Sequence, residues 1–67
     1  MKYRVLDLIN SVYIVREPGD GAYELSEATD LMAEKVSDAI CRGRSLNLAI
    51  IDEDQRVHRY AAVSMFP

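Results

Sequence analysis

The sequence predicts a two-layer α+β fold: one amphipathic helix, about residues 27–42, packed on a four-stranded, mainly antiparallel sheet in the chain order ββαββ. Two patterns lead there. Ala28, Met32, Val36, Ala39 and Ile40 recur at helical spacing and fall within an arc of about 120°. On either side of that stretch lie two segments rich in β-branched, aromatic and aliphatic residues, each pair joined by turn-forming residues.

The first strand is expected over residues 2–8, where Tyr3 and Val5 alternate with polar neighbours. Its phase then slips, because Leu6 and Leu8 point the other way, which implies a bulge or a strand buried on both faces. Asn10-Ser11 supplies a turn into a second strand over residues 12–17, and Pro18-Gly19-Asp20-Gly21 ends it. Tyr23 to Leu25 reads as a short extended segment leading to Ser26, the expected helix N-cap, with Glu27 at the positive end of the helix dipole. Gly43 suits the left-handed stop, with Arg42 and Arg44 at the negative end.

Leu46 to Ile51 is the clearest strand, and Asp52-Glu53-Asp54-Gln55 turns the chain into a partner strand over residues 56–63. Two registers are open. A two-residue loop sets Val57, Arg59, Ala61 and Val63 beside Leu46, Leu48 and Ile50; a three-residue loop substitutes His58, Tyr60 and Ala62. The first is preferred, leaving His58 and Tyr60 on the outer face and Arg59 at the rim of the core. Ser64 to Pro67 forms a short apolar tail.

At 67 residues the chain is expected to be a single domain with a thin core, and a partner or second copy would add burial. An apolar content of 49% with 28% charged residues is that of a folding chain rather than a disordered one. No apolar run reaches the ~18 residues of a membrane span, no signal-peptide core follows Met1, and a lone Cys41 fits a reducing compartment, so a cytoplasmic protein is expected. The net charge of −3 is uneven: residues 22–41 carry five acids against Lys35 alone, which leaves no global field to attract nucleic acid.

No catalytic signature emerges, and the expectation is a protein that is not an enzyme and uses no cofactor or metal. Cys41 and His58 would be the only thiol and imidazole for a nucleophilic dyad. Asp52-Glu53-Asp54 lacks the spacing of a calcium loop, and Gly19-Asp20-Gly21 lacks the remainder of a phosphate loop.

Two candidate surfaces remain. Glu27, Asp30, Glu34 and Asp38 project within about 80° of the helix, with Leu31 in or beside the arc, as a ridge that would dock on a basic surface of another protein. A small inhibitor or adaptor would act this way, and phage and plasmid accessory proteins often have this size. The alternative is the outer sheet face, where Tyr13, Arg56, His58 and Tyr60 would stack on single-stranded nucleic acid, or where a homodimer would form.

Overall fold

The computed structural model describes residues 1–16 and 19–64. Its elements run β1 (Arg4–Asp7), β2 (Val12–Ile14), α1 (Leu25–Arg42), β3 (Leu46–Ile51) and β4 (Val57–Val63). The four strands form one antiparallel sheet in the spatial order β2-β1-β3-β4, with α1 packed on one face. This is the expected two-layer ββαββ arrangement. Glu17 and Pro18, expected at the end of the second strand and in the turn after it, and the tail from Met65 to Pro67 lie outside the described residues.

The first hairpin turns through Ser11 in the left-handed region at φ 57°. Just before that turn the buried Asp7 carboxylate accepts the Ile9 and Asn10 amides and the Asn10 side chain. Burial opposes ionisation of Asp7, yet the hydrogen bonds from Asn10 and Ile9 outweigh it and hold the carboxyl below its usual value. After the second strand the chain returns beside β1, and Tyr3 and Tyr23 exchange backbone hydrogen bonds at 2.8 Å.

The helix starts two residues earlier than expected. Its N-cap is Glu24, not Ser26, and Glu24 forms a capping box with Glu27, whose Oε1 accepts the Glu24 amide at 3.1 Å. Lys2 Nζ bonds Glu24 Oε1 at 2.8 Å and its amide donates to Glu53, tying the first strand to the helix start and to the far hairpin. The side-chain bond and charge of Lys2 lower the Glu24 carboxyl, and those of Glu24 raise the Lys2 amine. At the other end Gly43 takes φ 65°, and the amides of Gly43 and Arg44 close on Ile40 and Ala39.

The buried helix face is turned by about 60° from the expected one at 100° per residue. Ala28, Leu31, Met32 and Ala39 are buried, Val36 is half-buried, and Ile40 is 56% exposed. Leu31, expected on the acidic ridge, is instead 2% exposed in the core with Val5, Leu48 and Ile50. The physical reason is position rather than volume, which leucine and isoleucine share: Leu31 meets Val5, Leu48 and Ile50 of the two central strands, whereas Ile40, near the end of the helix, is left largely in solvent. Glu34 is thereby carried to Arg16, with which it forms an ion pair.

The second hairpin has the preferred register at three of four positions, Leu46 pairing with Val63, Leu48 with Ala61 and Ile50 with Arg59, whereas Val57, expected on the same face, lies on the opposite one. A bulge follows, so that Ile51 pairs with Val57 and His58 drops out of the alternation. Asp52 organises the turn, its Oδ1 accepting the Asp54 and Arg56 amides while Gln55 takes φ 65°.

Candidate functional site

Each strand of this sheet has two faces, and the helix covers one. Val5, Leu48, Ile50 and Ala61 lie under α1. Alternation therefore places Arg4, Leu6, Tyr13, Ala49, Ile51, Tyr60 and Ala62 on the opposite face. The register aligns four of these in one row across all four strands: Tyr13 opposite Leu6, Leu6 opposite Ala49, Ala49 opposite Tyr60. Three strand spacings, ~14 Å, separate the two tyrosines at the ends.

The row has a flat apolar centre and aromatic ends. Ala49 is buried and Leu6 half-buried, whereas Tyr13 is 44% and Tyr60 69% exposed. The next row along the strands pairs Arg4 with Ile51 and Ile51 with Val57. Ile51 is buried, and Val15 and Val57 are exposed. The slipped phase of β1 is thus a strand apolar on both faces, with no break in its register to β2 or β3.

Arg4 is the charge set into this surface. Its guanidinium lies 5.4 Å from the centre of the Tyr13 ring, and Nη1 donates to the Asp20 carbonyl at 3.1 Å. Gly21, buried at φ 82°, makes room: a Cβ there would stand 3.0 Å from Val15 Cγ2 and 3.3 Å from Arg4 Nη1.

Of the residues proposed for a nucleic-acid face, Tyr13 and Tyr60 share the row. His58 does not join them. The bulge places it against Asp52, whose Oδ2 it meets through Nε2 at 2.8 Å, and edge-on to Tyr3 with ring centres 5.0 Å apart. The His58 bond, with the Arg56 and Asp54 amides, holds the Asp52 carboxyl below its usual value. Arg56 sits in the turn, where its amide and carbonyl both bond Asp52.

The acidic ridge is exposed but largely occupied. Glu27 closes the capping box, Glu34 pairs with Arg16, and Asp38 accepts from Arg42 Nε at 2.9 Å. Asp30 remains exposed on the same arc. With Leu31 buried, the ridge lacks the apolar anchor that the sequence suggested.

The geometry does not assemble a thiol-imidazole dyad. Lys2 ties the hairpin that carries Asp52 and His58 to the start of α1, whereas exposed Cys41 lies in its last turn, about 25 Å along the helix. Among the described residues no group of three His, Cys, Asp or Glu side chains could hold a metal ion, and no helix is long and apolar enough to cross a membrane.

Sequence reasoning missed Leu6, Ala49 and Ile51 as surface-forming residues. The signal was present in the run Ala49-Ile50-Ile51, which leaves no polar side for solvent. Comparison with protein-family models, curated proteins and solved structures finds no match, so the chemistry of these surfaces alone points to what they bind.

Proposed function

We propose that this domain is a protein-binding module whose contact surface is the helix-free face of the sheet. The observation that carries the reading is the row Tyr13-Leu6-Ala49-Tyr60, a flat apolar strip ended by exposed tyrosines. Aromatic side chains at the margins of an apolar patch supply contact area at little entropic cost and keep a polar tip for the rim. The acidic ridge on α1, by contrast, spends three of its four carboxylates on the cap and on local ion pairs.

A protein partner fits this face better than a nucleic acid. Single-strand binders combine stacking rings with a basic groove that follows the phosphates. Here Arg4 is already engaged by Tyr13 and Asp20, the space between the tyrosines is aliphatic, and the chain carries a net charge of −3. The partner is therefore expected to present an apolar surface.

The test is cross-linked capture from the native host with three chains: wild type, Tyr13→Ala with Val57→Ser, and Glu34→Lys with Asp38→Lys. Loss of the captured protein in the sheet variant alone supports the proposal. Loss in the helix variant alone transfers the site to the acidic ridge. A parallel titration with single-stranded DNA and RNA overturns the protein reading if binding is tight at low salt and falls steeply as salt rises.

A further inference from the structure

The outer edge of β4 is the longest unpaired strand edge among the described residues, and its backbone groups can be assigned. Leu8 donates to the Asn47 carbonyl at 2.8 Å, so Asn47, Ala49 and Ile51 turn their backbone groups toward β1, and Leu46, Leu48 and Ile50 turn theirs toward β4. The β3–β4 register then directs Arg59, Ala61 and Val63 inward. Tyr60 and Ala62 are left with N–H and C=O groups aimed out of the sheet.

Above that edge α1 carries more apolar surface than the other described residues cover. Leu25, Thr29, Ala33, Val36 and Ile40 fall within about 80° of the helix, beside the buried arc and on the side away from the acids. Thr29, Met32, Ala33 and Val36 line an open cavity of about 320 Å³ with Arg59, Tyr60 and Ala61. An overhanging apolar stripe and an open strand edge thus meet along one side of the molecule.

We infer that this side joins a second copy of the chain, β4 to β4 in antiparallel pairing, to give a continuous eight-stranded sheet with both helices on one face. The strand is complementary to itself in the register that sets Ala61 opposite its twofold mate. Tyr60 then pairs with Ala62 of the second copy, and Ala62 with its Tyr60, through the groups that a single chain leaves open. The large exposed ring of Tyr60 lies beside a methyl group on the helix-free face. Arg59 faces Val63, and the two Arg59 side chains stay ~13 Å apart along the strands, clear of like-charge contact. The apolar stripes of the two helices face one another across the axis. A standard interface covers roughly 800 Å² per partner, about one sixth of the 4632 Å² this chain exposes.

The inference goes beyond the proposed binding face: pairing uses the backbone groups of Tyr60 and Ala62, and of the row at the binding face only Tyr60 adjoins the paired edge. Sedimentation of wild-type protein over a dilution series should show the mass of two chains dissociating to one. Ala62→Pro removes an outward amide that makes no bond among the described residues, and edge strands tolerate proline at such positions. By symmetry it deletes two hydrogen bonds per dimer, so the dissociation constant should rise at least about tenfold. Hydrogen exchange of the wild type is the check that needs no variant: the Tyr60 and Ala62 amides should be protected at high concentration and released on dilution. A single-chain mass at every concentration up to about 1 mM, with both amides exchanging as fast as free ones, overturns the inference. So does a dimer that a folded Ala62→Pro leaves intact and Tyr13→Ala with Val57→Ser weakens, because its contact would be face to face.

Discussion

Leu31→Ala tests the orientation of the helix, on which both surfaces depend. The side chain is 2% exposed and packs with Val5, Ala28, Met32, Leu48 and Ile50. Truncating a leucine in such a site costs roughly 2–5 kcal/mol, the transfer of the lost carbons plus the cavity left behind. A chain of this length has about 3–10 kcal/mol of stability in all, so the variant should be barely folded. Ile40→Ala removes a similar volume from a side chain that is 56% exposed and should cost less than about 1 kcal/mol. Urea unfolding followed by circular dichroism reads the difference, at concentrations where sedimentation shows a single chain. With a slope near 1 kcal/mol per molar urea, the midpoint should fall by about 2–5 M for Leu31→Ala and by less than about 1 M for Ile40→Ala. Equal shifts, or a larger one for Ile40→Ala, would refute the helix rotation and return Leu31 to the acidic ridge.

Gly43→Ala should destabilise by about 1–2 kcal/mol through its left-handed φ alone, since open space surrounds the position, and Gly43→Asn should cost less; thermal melts decide it. Gly21→Ala should cost more than Gly43→Ala, because strain is joined by the approach to Val15 and Arg4, and the Tyr13 ring resonances should shift with it. Asp52 and Asp7 have carboxyls lowered in the fold, so their contribution is complete above the unfolded value near pH 4 and is lost as pH falls through the folded one. Asp52→Asn should accordingly flatten the fall in urea midpoint below about pH 4; an unchanged pH profile would remove Asp52 from that role.

How far the sequence discloses this molecule depends on which force decides each feature. Chain-local signals were sufficient for β3, the Gly43 stop and the register from Arg59 to Val63, because periodicity and turn chemistry act over a few residues. The cap at Glu24 rests on a local capping box with Glu27, and Lys2, distant in the chain, adds a bond to Glu24 that no local rule includes. The helix phase was set by what lay beneath it: the arc from Ala28 to Ile40 is the more apolar in sequence, and the sheet instead buries the arc from Leu31 to Ala39, which Lys35 interrupts. The row Tyr13-Leu6-Ala49-Tyr60 needed the pairing order, since its members come from four strands. His58 left the outer face because of a bulge that alternation alone does not reveal.

The order β2-β1-β3-β4 also has a consequence for the sequence of events during synthesis. The first strand made is one of the two innermost, and its Val5 meets Ile50 only after both the helix and most of β3 exist. Either hairpin can close as soon as its own residues are available, but the β1–β3 seam must wait and carries the cost of closing a long loop. Until then Val5 and Leu6 have no neighbour on that side, and a nascent or newly released chain is most vulnerable to aggregation there. The step that zips β1 to β3 is therefore expected to limit the folding rate, and changes in that seam should slow folding more than changes in either turn.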